Sequence, residues 1–451
     1  MLQATKPSAA LEWEGAGLPE APSAPETLTQ SGLTLGFLND LILRTLYVRG
    51  TLLGLELSRL SCLPFKVIEE ALKFLKDEKC LEVTGGDLIG RVSYRFTLTE
   101  LGRRRAQDAM QLCAYIGPAP VPLEDYVEQV YRQAVTGIAV NADALRASFS
   151  HLVLKDELFN AIGPAIVSGK SIFIFGPPGN GKTAMARGIG DFMNTSGGDI
   201  YVPYAFMAEN SIVTVYDQAV HQLAEESAED RLEDQESTIR RLLNTGTVDP
   251  RWVRIRRPVI ITGGELNLTM LDLKYNSESN FYQAPLHVKA NGGIFLIDDF
   301  GRQLCSPKEL LNRWIVPLED RHDFLNLATG KKFEVPFEQL TIFSTNLDPR
   351  DLVDDAFLRR IRHKVGVEAP TREVYEKIFA GVIRRLGMNH CSDAIEYLYE
   401  RYYNRGRSPR ASDCRDLLET VQSICRFRKH PVQLTRELMA EAAASFICEF
   451  K

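Results

Sequence analysis

Gly176-Pro177-Pro178-Gly179-Asn180-Gly181-Lys182-Thr183 is the stretch that decides the fold. It follows an apolar run, Ile172-Phe173-Ile174-Phe175, and precedes a segment from Ala184 to Phe192 that reads as a helix. Strand, glycine-rich turn and helix with G-x-x-x-x-G-K-[ST] spacing form the pattern of a phosphate-binding loop. The chemistry explains the residue types. Gly179 and Gly181 let the backbone wrap so that successive N–H groups face phosphate oxygens, and the helix N-terminus adds the positive end of its dipole. Lys182 brings a mobile cation to the β- and γ-phosphates, and the Thr183 hydroxyl suits the shell of a Mg²⁺ ion. Gly176 through Thr183, with Ala184 at the helix start, are therefore the expected nucleotide-binding residues.

Three further segments carry matching chemistry. Gly293-Ile-Phe-Leu-Ile-Asp298-Asp299 reads as a buried strand ending in two carboxylates. Asp298 suits holding Mg²⁺, and Asp299 stands where a water-polarising base belongs. Leu340-Thr-Ile-Phe-Ser-Thr345 reads as another strand, and Asn346 at its tip is expected between the loop and the carboxylates, orienting the attacking water. Asp354-Asp-Ala-Phe-Leu-Arg359-Arg360-Ile-Arg362 places an arginine pair on a helix after the sheet, and guanidinium groups suit charge on a transferring phosphoryl group. In Gly406-Arg-Ser-Pro409-Arg410-Ala, Pro409 fits the first turn of a helix and Arg410 is expected to point back at the nucleotide.

In this order the segments resemble AAA+ ATPases, over roughly residues 125–450. The resemblance implies an α/β P-loop core with a parallel sheet of strand order 5-1-4-3-2, a C-terminal helical lid, ATP and Mg²⁺ as ligands, and assembly into a homo-oligomeric ring, a hexamer. Lys182 and Thr183 would be Walker A residues, Asp298 and Asp299 Walker B, and Asn346 sensor 1. Arg359 or Arg360 would be the finger acting on a neighbour's ATP, and Arg410 sensor 2. The family usually has Glu at the second Walker B acid; Asp299 is one methylene shorter, about 1.5 Å, which implies slow hydrolysis. Lys182 and Asp298 lie 116 residues apart, more than one strand and helix need. The excess includes an acidic helical stretch, Glu225 to Glu236, which reads as a solvated face, and Ile260-Ile-Thr-Gly-Gly-Glu-Leu. Ala284 to Gly293 is similar to AAA+ proteins with an insert in helix 2. Asp323 to Val335 reads as a hairpin and looks like the pre-sensor-1 insertion of the MoxR, magnesium-chelatase and bacterial-enhancer groups. The arginine pair looks more like AAA proteins proper.

Outward from this core, residues 1–28 are rich in Ala, Pro, Glu and Ser and are expected to be a disordered tail. Helical spacing at Leu38, Leu41, Ile42 and Leu46, a short helix at Leu53–Leu60 and an amphipathic one at Phe65–Leu75 follow. Cys80–Val83, a Gly85-Gly86-Asp87 turn and the alternating Arg91–Phe96 read as a hairpin, and Thr99 is a candidate cap for a closing helix. Residues 29–116 thus resemble a winged-helix domain. Residues 117–124, around Gly117-Pro-Ala-Pro-Val-Pro122, are expected as a linker, residues 125–367 as the α/β domain with insertions, and residues 368–451 as the lid.

Composition restricts the function. The chain has 451 residues, enough for two to four domains with real cores. Its net charge of −6 gives no global reason to bind nucleic acid or an anionic membrane. The eight cysteines form no C-x-x-C pair and the seven histidines no ligand cluster, which argues against a disulfide frame or a zinc site. No apolar run reaches the length of a membrane span and no signal segment opens the chain, so a cytoplasmic location is expected. Three roles follow, in order of preference: a remodeller or chaperone acting on a protein partner, a DNA-directed ATPase, and a slow nucleotide switch. Residues 30–110 carry 12 Lys/Arg against 10 Asp/Glu, and Glu69 and Glu70 lie on the helix that would enter a DNA groove. A DNA-reading face needs a basic stripe, so a protein partner is preferred. Arg91, Arg95 and Arg103–Arg105 keep the DNA reading open.

Overall fold

The computed structural model describes residues 19–85, 93–225, 248–352 and 355–447. The chain forms two compact units. One, the core unit, comprises Asn141–Phe192, Pro258–Lys274 and Ala284–Lys451; the other comprises Met1–Val140, Met193–Arg257 and Tyr275–Gln283.

The core unit is built on five strands: β1 (Ile172–Phe175), β2 (Val259–Thr262), β3 (Ile294–Ile297), β4 (Leu340–Thr345) and β5 (His363–Gly366). They pair in parallel in the order β2-β3-β4-β1-β5, the order expected from the resemblance. Every residue of β3 and β4 is buried. A parallel sheet is covered on both faces, so its strands read as unbroken apolar runs. Ile297 lies opposite Phe343, and Thr345 opposite Phe175. That register brings the residues following β1, β3 and β4 to one carboxyl edge, where open α/β sheets bind ligands. The helix after β1 is α1 (Lys182–Gly197), longer at both ends than the sequence suggested. The hairpin His322–Asn326 with Lys332–Pro336 precedes β4, as expected. Its buried Asp323 accepts from Arg313 at 2.6 and 2.8 Å and pairs with His287 at 2.9 Å.

The C-terminal part of this unit is purely helical: α2 (Arg372–Leu386), α3 (Ser392–Arg401), α4 (Ala411–Phe427) and α5 (Arg436–Phe446). Tyr375, Phe379 and Ile383 bury one stripe of α2, and Cys414, Leu417, Leu418, Val421 and Cys425 one of α4, at the spacing an amphipathic helix demands. The buried Tyr375 hydroxyl meets that of Tyr403 at 2.9 Å, and Tyr403 donates to Asp413 at 3.0 Å. Arg407 donates to the same carboxylate at 3.1 Å, so the first turn of α4 is held by a closed polar network.

In the other unit, helices Leu35–Arg49, Gly54–Ser61 and Phe65–Asp77 precede strands Leu81–Val83 and Arg95–Leu98. These strands pair antiparallel, Leu81 opposite Leu98 and Val83 opposite Phe96, and a two-residue strand, Leu52–Leu53, adds to the second. Helix Glu100–Leu112 closes the segment, capped by Thr99, whose hydroxyl accepts from the Gly102 N–H at 3.0 Å. Gly86, Asp87 and Arg91 of the expected hairpin lie outside the described residues.

The structure differs from the sequence expectation in three places. Residues 117–124 are not an open linker: Ala119, Pro120 and Val121 are buried, and Val121–Pro122 pairs as a strand with Phe206–Met207. Proline is tolerated there because the strand lies at a sheet edge and needs no N–H on its open side. Residues 19–28 of the expected tail are placed: Pro22 O accepts from Asp249 N at 2.7 Å, and Ser23 bridges Val248. A buried Arg251–Asp249 pair ties both segments down, its guanidinium donating also to Ser31 O at 2.8 Å and Pro120 O at 3.3 Å; a buried charge needs such partners. Residues 1–18 lie outside the described residues. Finally, the expected α/β domain 125–367 is divided. Strands Ile200–Pro203, Ala205–Ala208, Ser211–Thr214, Trp252–Ile255 and Phe281–Gln283 belong with the N-terminal residues; Ile200–Pro203 pairs antiparallel with Trp252–Ile255 and Ala205–Ala208 with Ser211–Thr214, while Phe281–Gln283 joins Ser211–Thr214 in parallel. Beyond Glu225, the acidic stretch lies outside the described residues.

Candidate functional site

The loop between β1 and α1 is shaped by glycines at positive φ. A side chain on Gly176 (φ +141°) would stand 2.0 Å from Val367 O, and one on Gly179 (φ +80°) 2.5 Å from Ser412 Oγ. The loop therefore touches both β5's exit and the start of α4. Lys182, buried at the head of α1, donates to Gly176 O at 2.8 Å, Pro177 O at 3.0 Å and Asn346 Oδ1 at 2.6 Å. Burial pushes its ammonium below the ordinary lysine range, while Asp298 and Asp299 pull the other way.

Thr183 Oγ1 donates to Asp298 Oδ2 at 2.6 Å. These are hard oxygen donors at touching distance, which fits Mg²⁺. Among the described residues no group of three or more His, Cys, Asp or Glu could hold a metal. Mg²⁺ commonly takes one or two protein oxygens and completes its octahedron with phosphate and water, so the pair is sufficient.

Asp299 has φ +48°, in the left-handed region that Asp enters more readily than most residues. Asn346 Nδ2 donates to Asp299 Oδ1 at 2.8 Å. One amide thus joins the Lys182 cation to the Asp299 carboxylate, the place expected for it. Arg410 is the N-cap residue of α4. Its neighbours bind the loop directly: Ser412 N donates to Gly179 O at 2.8 Å and Ala411 N to Asn180 Oδ1 at 3.2 Å. Arg410 is exposed and its Cβ lies 3.5 Å from where a Gly179 Cβ would be. Pro409 precedes the cap instead of occupying the first turn.

The arginine pair is not brought to this cluster. Arg359 and Arg360 follow a short helix, Asp355–Leu358, in a turn; Asp354 lies outside the described residues. Ser171, just before β1, donates to Arg360 O at 3.4 Å, so the pair sits at the amino edge of the sheet. The phosphate loop is at the other edge, about 13 Å away along a four-residue strand. Arg360 pairs with Glu319 at 2.7 Å and lies 5.4 Å over the Phe357 ring, whereas Arg359 is exposed.

Sequence reasoning missed a cavity of about 240 Å³ beside the loop. Its walls include Leu154, Asn180, Val365, Val367, Val374 and Ile378. Apart from Asn180 of the loop, these are ordinary apolar residues from three further segments, so no motif announces them.

The site and sheet define the class of this chain: an α/β P-loop fold with a helical C-terminal unit. A family described as a domain of unknown function, DUF8689, matches residues 371–445, the four helices α2–α5. No curated protein matches the chain. Among solved structures, the chain is similar to NtrX from Brucella abortus at 14% identity and a TM-score of 0.40, covering 67% of this chain and 58% of that one. It is similar to the Thermotoga maritima RuvB Holliday junction branch migration motor at 14% identity and a TM-score of 0.34, covering 64% and 67%. Domain III of the Thermotoga maritima replication initiation protein DnaA is similar at 15% identity and a TM-score of 0.35, covering 68% and 99%.

Proposed function

We propose that this chain is an AAA+ ATPase that binds MgATP at the carboxyl edge of its sheet and hydrolyses it. One observation carries the reading: the bridge Lys182–Asn346–Asp299 and the contact Thr183–Asp298 join three strand tips into one polar cluster. Lys182 exchanges its loop carbonyls for phosphate oxygens, and the loop N–H groups cradle the rest. Thr183 and Asp298 would hold Mg²⁺, which would supply charge neutralisation for the phosphates. Asp299 orients and deprotonates the attacking water, its carboxylate aimed by Asn346. The cavity of about 240 Å³ is smaller than the roughly 300–1,000 Å³ of drug-sized pockets, and it suits one flat apolar group, the base. Arg410, on the lid beside the loop, senses the γ-phosphate.

Assembly into a homo-oligomeric ring, a hexamer, accounts for the arginines. Arg359 at the amino edge serves a neighbour's nucleotide, and Arg360, committed to Glu319, is structural. Residues 29–116 act as a winged-helix adaptor for a protein partner. The exposed side of helix Phe65–Asp77 mixes Lys66 and Lys73 with Glu70 and an exposed Phe74, chemistry that suits protein better than a phosphate backbone. The short Asp299 makes turnover slow. No helix among the described residues is long and apolar enough to cross a membrane.

The test is binding of a fluorescent ATP analogue together with phosphate release. Wild type binds and hydrolyses; Lys182→Ala does neither. Near-normal affinity in that variant would sink the loop assignment.

A further inference from the structure

The chain leaves β3 through a turn that β4 catches one residue beyond Asp299, where Phe300 N donates to Ser344 O at 2.7 Å and Phe300 O accepts from Thr345 Oγ1 at 2.8 Å. The last bond to β2 is Asp298 N to Thr262 O at 2.8 Å. Beyond it Asp299 turns left-handed at φ +48°, and Gly301 follows at φ +104°. A non-glycine residue in that region is strained, so something must over-determine the turn. Its carbonyls at 298 and 299 also point away from the ladder and need donors.

One side chain meets both needs. Gln303 Nε2 donates to Asp298 O at 2.9 Å and Asp299 O at 3.2 Å, and reaches Gly263 O, just past β2, at 3.5 Å. Its Oε1 accepts from Gly301 N at 2.7 Å. To these two carbonyls the backbone adds Arg302 N, donating to Asp299 O at 3.0 Å. Gln303 is half-buried and belongs to no nucleotide motif.

We propose that Gln303 is a positioning residue for Asp299: its amide holds the backbone of the left-handed turn while Asn346 holds the carboxylate. Both ends of the short aspartate are then fixed by amides, one through the main chain and one through the side chain. This compensates for the missing methylene, since a short acid has little freedom to find its water and must be aimed by its backbone. Glutamine is suited because donor and acceptor lie on one rigid planar group. The inference rests on the ATPase reading above.

The test uses the full chain with Gln303→Met, which keeps length but loses all polar contacts, and Gln303→Glu, which keeps the acceptor and loses the donor. Analogue affinity, kcat and KM are measured for each, alone and combined with Asp299→Asn. Both single variants are expected to lower kcat about tenfold or more, the scale of a mispositioned general base, with analogue affinity within about twofold of wild type. Each double variant should be no slower than Asp299→Asn alone, because two residues acting through one group are not additive. Full kcat in either single variant overturns the proposal, as does a double variant whose losses multiply. Parallel loss of affinity and kcat in both also overturns it, showing Gln303 merely supports the loop. A wild-type chain that neither binds nor hydrolyses ATP removes the ATPase reading itself, a result distinct from an active wild type with indifferent Gln303 variants.

Discussion

Asn346→Ala isolates the joint of the site. The substitution removes the donor to Asp299 at 2.8 Å and the acceptor for Lys182 at 2.6 Å. Lys182 keeps its contacts to Gly176 O and Pro177 O, and bound phosphate replaces these anyway, so the loss on that side acts little on affinity. Asp299 has no second side-chain donor among the hydrogen bonds described. A hydrogen bond to a charged group contributes about 1.5–3 kcal/mol. Asp299 is exposed and Asn346 half-buried, so solvent screening takes the expectation to the lower end. At about 1.4 kcal/mol per factor of ten, turnover should fall roughly tenfold, with analogue affinity within about threefold. The assay is phosphate release against ATP concentration, with analogue titration on the same preparation. An unchanged kcat, or a higher KM at unchanged kcat, would refute the argument, because Asn346 would then touch phosphate binding and not the water-activating acid.

Arg359→Ala should lose most turnover while retaining nucleotide binding, and mixing it with Lys182→Ala should restore some activity; concentration-independent turnover by a monomer would contradict action in trans. Arg360→Ala should leave turnover within about twofold and cost about 0–1 kcal/mol of stability, as a partly exposed ion pair does, read from thermal melts. Full-length protein titrated with mixed-sequence duplex at physiological salt should bind weakly; micromolar or tighter binding with a steep salt slope would promote the DNA reading. Burial pushes the Asp323 carboxyl up, but its bonds to His287 and Arg313 together hold it below the ordinary 3.8. Its folded value is therefore the lower one, and its stabilisation is present above about pH 4 and lost as pH falls below that. Asp323→Asn should cost about 3 kcal/mol at neutral pH, the scale of breaking a buried pair, and flatten the acid limb of stability, measured by urea unfolding from pH 7 to pH 3.

Local patterns were enough to locate the glycine-rich loop, the carboxylate pair, Asn346 and the helical character of the C-terminal part. Each of these depends on neighbours a few residues away: a glycine where φ must be positive, an unbroken apolar run where a strand is covered on both faces, a helical stripe at Tyr375, Phe379 and Ile383. What joined them was register, and register is non-local. Nothing in Leu340–Thr345 says that it lies between β1 and β3, yet that placement alone sets Asn346 between Lys182 and Asp299. The arginine pair shows the same limit from the other side: its chemistry was legible, but only the fold put it at the far edge of the sheet and gave Arg360 to Glu319. Pro-rich residues 117–124 looked like a linker because composition reports solubility, not partners; the buried Arg251 that gathers them lies more than a hundred residues on. Gln303 was invisible for a related reason. A glutamine carries no motif of its own, and its role exists only where a left-handed turn leaves two carbonyls without a strand to pair with.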